Sequence, residues 1–223
     1  MYRYQLSNNH YVAEIDGYHF IIDTGYPYSI TFRNDLRSIR INDYDVNLIE
    51  PGYRFNIPAT HQLVGYPVDG LLGLDAFGQS GLTFYKEDNQ GGHVDFASHD
   101  IDGDIHHIVA LHQGFAPLIK ANDNKMFLVD TGARYSYGVR GMFDGLTPFN
   151  VVTDYNPSLG NMRSPIYHVS ITLNEKEYHI DVCYNERAVT LTGVNNLLMV
   201  GNITDFFNKE CCINYRDRKI IFN

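Results

Sequence analysis

The chain has 223 residues, of which 44% are hydrophobic, so it can bury a substantial core as one large domain or two small ones. Its 26 acidic residues outnumber 17 basic ones, and the formal net charge of -9 disfavours nucleic acid and anionic membranes as partners. No run of eighteen apolar residues occurs, and the N-terminus lacks the basic and apolar regions of a signal peptide. We therefore expect neither a membrane span nor export.

The cysteines indicate a reducing compartment. Only Cys183, Cys211 and Cys212 occur, and the two adjacent cysteines are poorly placed for a mutual disulfide. We expect a cytoplasmic location, or secretion if a signal peptide has been trimmed. Because no Cys–His pairing is evident, we interpret the three as ordinary buried cysteines rather than as a thiol nucleophile.

Turn residues recur about every ten positions between short runs of Tyr, Phe, Ile and Val, which predicts a mainly β protein. Asp16-Gly17 is a hairpin signal between two strands, and the second strand leads into Asp23. Pro51-Gly52 predicts another hairpin, with its tip at residues 50–53. In the second half, hairpins are predicted around residues 174–176 and at the C-terminus.

Helix signals are short. Residues 74–78 and 202–209 could each form one or two turns, and each segment follows a glycine. The absence of a long amphipathic helix pattern argues against α/β layering.

An internal repeat is the most informative feature of the sequence. The stretch "FIIDTGYPYSI" at residues 20–30 is matched by "MFLVDTGARYS" at residues 126–136, so Asp-Thr-Gly follows a run of apolar residues twice, three in the first copy and four in the second. Further along each half, two apolar residues precede a glycine, in Leu71-Leu72-Gly73 and Met199-Val200-Gly201. Repeats of this kind fix the architecture, and here they predict two structural units of like fold.

We expect an N-terminal lobe at residues 1–100, carrying Asp23 and a flap, and a C-terminal lobe at residues 101–223, carrying Asp130. The chain resembles the aspartic proteases, of the single-chain pepsin-like and retropepsin-like kinds, and the resemblance covers most of its length. It implies an all-β, two-lobed acid-protease fold. Each lobe would be a small closed β-barrel-like unit, with the active site at the lobe interface.

The resemblance and the physical chemistry agree on Asp23 and Asp130 as a catalytic dyad. An ionised carboxylate at the end of a buried strand needs a partner, and two carboxylates a few ångströms apart share one proton. One can then activate a water while the other donates to a substrate carbonyl, without a covalent intermediate. The resemblance therefore implies an aspartic endopeptidase that acts on peptides or proteins.

The neighbours of each aspartate are expected to support it. The glycines permit a tight turn and let backbone N–H groups approach the carboxylates. The resemblance implies that the threonines lock the lobes through hydroxyl-to-backbone hydrogen bonds. The serines, six residues after each aspartate, match the retropepsin-like pattern and are candidates for further hydrogen bonds. These pairs are Thr24 and Thr131, Gly25 and Gly132, and Ser29 and Ser136.

A flap over the cleft is predicted at residues 50–53, where retropepsin-like members carry theirs. Gly52 and Tyr53 are thus candidate substrate-binding residues. Either Tyr53 or Tyr66 could supply the polar aromatic contact of pepsin-like flaps, and the sequence does not choose between them. The matching hairpin of the second half is expected to be structural.

Tyr26 departs from the family pattern. The residue after Asp-Thr-Gly is usually Ser or Ala, and Ala133 conforms in the second half, whereas Tyr26 is bulky. The alternative function is therefore a catalytically silent peptide-binding or inhibitory protein that keeps the cleft. For either function we expect a monomer with no metal and no organic cofactor.

Residues 91–114 contain five histidines and four aspartates, which are conceivable metal ligands. No metal-binding spacing fits, because Gly103 comes too early for a calcium loop. We interpret the segment as a solvated connection between lobes. Asn202 begins a glycosylation sequence, but its expected burial argues against use.

Overall fold

The fold is built almost entirely from β-strands, which confirms the predicted all-β class. The computed structural model describes residues 1–52, 55–121, 124–156 and 159–223. The strands of the first half are β1 (Tyr2–Ser7), β2 (His10–Ile15), β3 (Tyr18–Ile22), β4 (Ile30–Thr31), β5 (Ser38–Ile41), β6 (Tyr44–Asn47), β7 (Gly70–Leu72), β8 (Leu82–Asp88) and β9 (Gly91–Asp95).

The second half supplies longer strands and the remaining short helices. Its strands are β10 (Asp104–His112), β11 (Ala116–Lys120), β12 (Met126–Val129), β13 (Ser136–Gly138), β14 (Asn150–Asn156), β15 (Gly160–Leu173), β16 (Lys176–Tyr184), β17 (Leu197–Gly201), β18 (Glu210–Asn214) and β19 (Lys219–Phe222). The helices of the described residues are α1 (Ile57–Val64), α2 (Leu74–Phe77) and α3 (Glu186–Thr190), with a 3-10 turn at Arg140–Phe143.

The two halves use the same strand-pairing scheme. In the first, β1, β2 and β3 form successive antiparallel pairs, β3 then pairs in parallel with β7, and β4 pairs antiparallel with β7. In the second, β10, β11 and β12 do the same, with β17 beside both β12 and β13. Each Asp-Thr-Gly therefore begins where a central strand ends.

The register corrects the match between the two apolar-apolar-glycine elements. Ile22 pairs with Leu72, whereas Val129 pairs with Gly201. Gly201 therefore occupies the place of Leu72, and Asn202 occupies the place of Gly73. The sequence pattern equates Gly73 with Gly201 because both are glycines. The backbone pairing instead makes Leu72 equivalent to Gly201, one residue away.

A central sheet joins the two halves. Strands β8 and β9 form a hairpin, β18 and β19 form another, and β8 pairs antiparallel with β18. Strand β1 adds to β9 and β10 adds to β19, so the order β1-β9-β8-β18-β19-β10 is symmetric about the β8–β18 pair. The pairings continue into one curled, closed sheet system. The division at residue 100 stays a prediction, since this sheet runs across it.

Most predicted turns are present. Asp16 and Gly17 both adopt positive φ between β2 and β3, and Asn174 and Glu175 do so between β15 and β16. This is the conformation of two-residue hairpin turns, which Asn, Asp and Gly adopt most readily. The terminal hairpin β18–β19 is also confirmed.

Of the two predicted short helices, only one forms. Residues 74–77 are helix α2, but residues 202–209 form turns. There the side chain of Asn202 accepts hydrogen bonds from the backbone N–H and the hydroxyl of Thr204, at 3.0 and 2.6 Å. Such local bonding by Asn competes with helix formation and explains the difference.

The predicted hairpin around Pro51-Gly52 is wrong. Strand β6 turns back on β5 instead, and the return strand expected after residue 53 is replaced by helix α1. The side chain of Asn56 caps this helix by accepting from the N–H of Ala59 at 3.1 Å, and Pro58 lies in its first turn. A cap followed by Pro is a helix start signal, which outweighs the strand-like pattern of "YRFNIPA". Tyr53 lies outside the described residues.

The apolar core has one main part and two smaller parts. The main cluster draws residues from both halves and lies around the central sheet. The first cleft cluster contains Val12, Ile21, Val64, Val68 and Leu71, with Tyr26, Phe32, Phe55 and Tyr66 packed against it. The second cleft cluster contains Ala116, Leu118, Leu128, Tyr137, Met162, Ile166, Cys183, Leu197 and Val200.

Candidate active site

Asp23 and Asp130 meet where the two halves face each other. The backbone N–H of Asp23 donates to the carbonyl of Leu72 at 2.9 Å, and that of Asp130 donates to the carbonyl of Gly201 at 2.8 Å. These equivalent bonds fix both residues at the ends of their strands. Each carboxyl group packs against the Asp-Thr-Gly turn of the other half, so the two groups interact directly, and both residues keep some solvent exposure.

Each carboxylate is also held by its own turn. The N–H of Gly25 donates to Oδ1 of Asp23 at 2.8 Å, and the N–H of Gly132 donates to Oδ1 of Asp130 at 3.0 Å. Bonds of this kind stabilise the ionised form of a carboxyl group. The turn thus provides the N–H approach that the glycines were predicted to allow.

The glycines have a second role, since each makes room for the carboxyl group of the other half. A Cβ added to Gly25 would lie 2.5 Å from Cγ of Asp130, and one added to Gly132 would lie 2.2 Å from Cγ of Asp23. Both distances are far shorter than carbon–carbon contact. No residue larger than glycine fits either position while the carboxyl groups stay together.

Thr24 and Thr131 bond reciprocally across the interface and are fully buried. The N–H of each donates to the hydroxyl oxygen of the other, at 3.0 Å in both directions. The hydroxyl of Thr24 donates to the carbonyl of Val129 at 3.1 Å, and that of Thr131 donates to the carbonyl of Ile22 at 2.8 Å. Four hydrogen bonds therefore tie each strand end to the turn of the other half.

The environment favours one shared proton between Asp23 and Asp130. Burial raises the pKa of Asp23 well above its usual range, and the adjacent charge of Asp130 raises it further. Burial also raises the pKa of Asp130, while hydrogen bonds from Asp23 and from the N–H of Gly132 oppose this. Two carboxyl groups so close cannot both ionise easily, and they titrate as a pair.

The serines support the surrounding framework and not the carboxylates. The hydroxyl of Ser29 donates to Oδ1 of Asp75 at 2.6 Å and accepts from the N–H of Gly73 at 3.2 Å. Ser136 is buried where a Cβ on Gly201 would come within 2.4 Å of its Cα. In the described part of the chain, neither serine is hydrogen-bonded to Asp23 or Asp130.

A cleft of about 680 Å³ opens above the two aspartates. One wall, here called the Asp23 wall, is formed by the first cleft cluster together with α1. The opposite wall, here called the Asp130 wall, is formed by the second cleft cluster together with β14. The Asp23 wall includes Ile21, Tyr26, Phe55, Val64 and Leu71, and the Asp130 wall includes Ala116, Leu128, Tyr137, Met162 and Val200.

Of the predicted flap residues, Gly52 lines the cleft and Tyr66 does not. Gly52 is not at a hairpin tip, and its role in substrate binding stays a prediction. Tyr66 packs in the first cleft cluster and its hydroxyl hydrogen-bonds to Nε2 of His19 at 3.1 Å, away from the cleft lining.

The long hairpin at the cleft comes from the second half, although we expected the hairpin of that half to be structural. Asp154, Tyr155 and Asn156 of β14 and Met162 of β15 line the cleft. Helix α1 of the first half lies against β14 and contributes Thr60, Leu63 and Val64 to the lining. In the first half, the β5–β6 hairpin is short and its inward residues pack into the main core.

Tyr26 forms part of the cleft lining. Its ring meets that of Phe55 edge-on, with centroids 6.0 Å apart, and burial and the charge of Asp23 raise the pKa of its hydroxyl. The bulky residue therefore belongs to the aromatic part of the Asp23 wall.

Sequence reasoning missed Asp154, which is buried in the Asp130 wall. Its Oδ2 accepts a hydrogen bond from the hydroxyl of Tyr137 at 2.5 Å. The only sequence signal was strand alternation, which places Asp154 on the same face as Val152. A lone aspartate in "VVTDYN" is equally typical of a solvated strand residue.

The histidine-rich segment forms pairs and not a cluster. Nε2 of His99 lies 2.8 Å from Asp95, and Nδ1 of His93 lies 3.0 Å from Glu87. Among the described residues, no group of three or more His, Cys, Asp or Glu could hold a metal ion. All three cysteines are buried and free.

Asn202 is buried, as expected. Its side-chain amide donates to the carbonyls of Asn9 and Ala133 at 2.6 and 2.9 Å. An amide bonded in this way has a structural role.

The fold is all-β and acid-protease-like. Two copies of one turn each bring an aspartate to a common cleft. No protein-family model matches the chain, and no curated protein matches its sequence. Among solved structures, the chain is similar to the crystal structure of an aspartic proteinase from Irpex lacteus. The identity is 10%, the TM-score is 0.46, and the match covers 98% of this chain and 95% of that one.

Within the described ranges, no helix is long and apolar enough to span a bilayer.

Proposed function

We propose that this protein is an aspartic endopeptidase that hydrolyses peptide bonds with a water activated by Asp23 and Asp130. The observation that carries the proposal is the pairing of these two carboxyl groups, one from each copy of the repeat, at the floor of one cleft. A second carboxyl group beside an aspartate raises the free energy of the ionised pair. An aspartate that only caps a strand does not need such a neighbour.

The chemistry follows from the shared proton. The ionised carboxylate accepts a proton from a water held between the two groups, and the oxygen of that water attacks the substrate carbonyl carbon. The protonated carboxyl group donates to the carbonyl oxygen, which gives a neutral tetrahedral intermediate. Transfer of a proton to the amide nitrogen then lets the C–N bond break. The pair acts as a unit, so neither aspartate is assigned a separate role.

The cleft supports an extended peptide as the substrate. Its lining includes both aspartates and residues from both halves of the chain, so a bound peptide would contact both walls. Both walls are largely apolar, which suits the burial of substrate side chains beside the scissile bond. No cofactor is needed for this reaction.

Tyr26 is the observation that favours the alternative, a silent peptide-binding or inhibitory protein. The Tyr26 ring lines the cleft near Asp23, where the family pattern has a small Ser or Ala. Such a protein would bind peptides without requiring either carboxyl group, since binding alone does not need transition-state stabilisation.

The proposal predicts that Asp23→Asn abolishes peptide hydrolysis. A peptide mixture is incubated with each protein between about pH 3 and pH 7, and the products are identified by mass spectrometry. We expect the wild type to cleave and Asp23→Asn to be slower by at least about 100-fold, since general acid–base groups typically contribute that much. Asp144→Asn, which changes an exposed carboxylate of the second half, is the matched control.

Absence of cleavage by the wild type at every pH would contradict the proposal and favour the silent binder. Equal cleavage by the wild type and Asp23→Asn would also contradict it, because a dyad cannot work with one carboxyl group.

A further inference from the structure

The two walls of the cleft differ in polarity. The Asp23 wall is apolar and aromatic, with Ile21, Leu71 and Phe55 beside the aspartate. The Asp130 wall is apolar too, but it contains Asp154 and Tyr137. In β12, Leu128 lies two residues before Asp130 and so faces the same side of the strand, which places this wall next to the dyad. The asymmetry indicates that substrate side chains on the two sides meet different chemistry.

Asp154 has one satisfied and one unsatisfied oxygen. The residue is 6% exposed, its Oδ2 accepts from Tyr137, and its Oδ1 is buried without a hydrogen-bond partner in the described part of the chain. Burial raises the pKa of Asp154, while the hydroxyl of Tyr137, the backbone N–H of Tyr155 and the charge of Arg134 lower it. A buried carboxyl oxygen without a donor is costly, so native structures normally provide a partner for it.

No nearby side chain of the Asp130 wall supplies that partner. Met162 lies opposite Asp154 in the β14–β15 register, and Leu128 and Val200 carry no donor. Arg134 lies close enough to lower the pKa of Asp154, but the described residues include no ion pair between them. Its guanidinium lies over the ring of Tyr135 instead, 5.0 Å from the centroid.

Asp154 is carried by a strand that is paired on one side only. Among the described strands, β14 pairs only with β15, so it forms the outer edge of the sheet. The next residues, Tyr155 and Asn156, line the cleft as Asp154 does. Binding of a substrate side chain at Oδ1 therefore requires this edge strand to shift.

We propose that Asp154, oriented by Tyr137, is a specificity-determining residue that selects a basic substrate side chain on the Asp130 wall, opposite an apolar one on the Asp23 wall. The inference rests on the proposed function, because it names the substrate class of the same cleft. Lysine and arginine fit because each has a long apolar stem for the second cleft cluster and a charged donor for Oδ1.

The charges in the cleft agree with this choice. The dyad with one shared proton carries one negative charge and Asp154 can carry another, while Arg134 is the one Lys or Arg in the described lining. The chain as a whole has a formal net charge of -9, which attracts cationic peptides over longer distances.

The test is the binding of uncleavable peptides to the wild type. Peptides with a hydroxyethylene group in place of the scissile bond carry leucine on one side and either lysine or norleucine on the other, in both orders. Norleucine keeps the apolar stem of lysine and lacks the ammonium group. Calorimetry should show that lysine improves the affinity at least tenfold in one of the two orders, as a charged hydrogen bond at a buried site does.

Two variants and one control assign the preference to Asp154. Asp154→Asn should remove it, and Asp144→Asn, which removes an exposed carboxylate from the same half, should keep it. Tyr137→Phe, which deletes only the hydroxyl that holds Asp154, should reduce the preference. Thermal unfolding checks that each variant is folded. If Asp154→Asn fails to fold, the wild-type comparison and Tyr137→Phe still decide the matter.

Equal affinity of the wild type for lysine and norleucine peptides in both orders would overturn the inference. So would a preference that survives Asp154→Asn. These outcomes are separate from failure of the proposed function. Selective binding without cleavage of ordinary peptides would sustain the role of Asp154 and reject catalysis, whereas cleavage without lysine selectivity would do the reverse.

Discussion

At the scale of single residues, the site depends on two properties of the turn glycines: they have no side chain, and their backbone N–H groups bind the carboxylates. Gly25 and Gly132 have no side chain where the carboxyl groups of Asp130 and Asp23 pack. Their N–H groups favour ionisation, while burial and the neighbouring carboxyl group oppose it. The result is a pair poised to hold one proton, which general acid–base catalysis requires.

The raised pKa of Asp23 predicts that Asp23→Asn is more stable than the wild type at neutral pH. A carboxyl group whose folded-state pKa lies above its ordinary value of 3.8 stabilises the fold fully below that value and loses this contribution as the pH rises through the raised pKa. Asparagine does not titrate. The melting temperature of Asp23→Asn should therefore exceed that of the wild type near pH 7, with a difference that shrinks towards pH 3.

Removal of any negative charge relieves some repulsion in so acidic a chain, so Asp144→Asn measures this general effect. Asp23→Asn should raise the melting temperature over the wild type by more than Asp144→Asn does. An equal or smaller gain, or a gain that grows on acidification, would show that the pKa of Asp23 is not raised.

At the scale of elements, local signals predicted the strands well because each hairpin turn has its own chemistry. The Asp16-Gly17 turn needs two residues with positive φ, and these residue types adopt it easily. The segment after residue 50 was mispredicted because Pro51-Gly52 resembles a hairpin turn. The helix signals of Asn56 as a cap, Pro58 in the first turn and Gly65 at the end describe α1 better.

Some features of the site could not be predicted from the sequence. The pairing of the two aspartates could be predicted, because ordinary loops seldom place Asp-Thr-Gly twice after apolar strands at matching points of two halves. The placement of the β14–β15 hairpin beside the cleft could not, because it depends on how the long strand β15 packs. The burial of Asp154 likewise depends on Tyr137, which is distant in sequence and adjacent only in the folded chain.

The position of this hairpin predicts that Tyr155 contacts the substrate and Tyr66 does not. Tyr155→Ala should raise KM several-fold because an aromatic surface of the cleft is lost. Tyr66→Ala is the matched control, since its hydroxyl bonds to His19 away from the cleft lining. Steady-state kinetics on a single peptide measures both. An increase of KM in Tyr66→Ala alone would contradict this prediction and support a flap formed by the first half of the chain.

At the scale of the whole molecule, the site exists because the two halves are held in one relative position. The β8–β18 pair joins the halves at the centre of a symmetric sheet, and the main apolar cluster includes residues of both. Beneath the dyad, Thr24 and Thr131 add four buried hydrogen bonds across the same interface. The separation of the carboxyl groups is therefore set by global packing and not by either turn alone.

The central claim is that Asp23 and Asp130 act as one unit, and the most direct test is a double-mutant comparison. The measurement is kcat/KM for one peptide with the wild type, Asp23→Asn, Asp130→Asn and the double variant. We predict that each single change lowers kcat/KM by at least about 100-fold and that the double change lowers it little further, because groups that act as a unit are not additive. Wild-type activity in either single variant, or losses that simply multiply, would contradict the dyad.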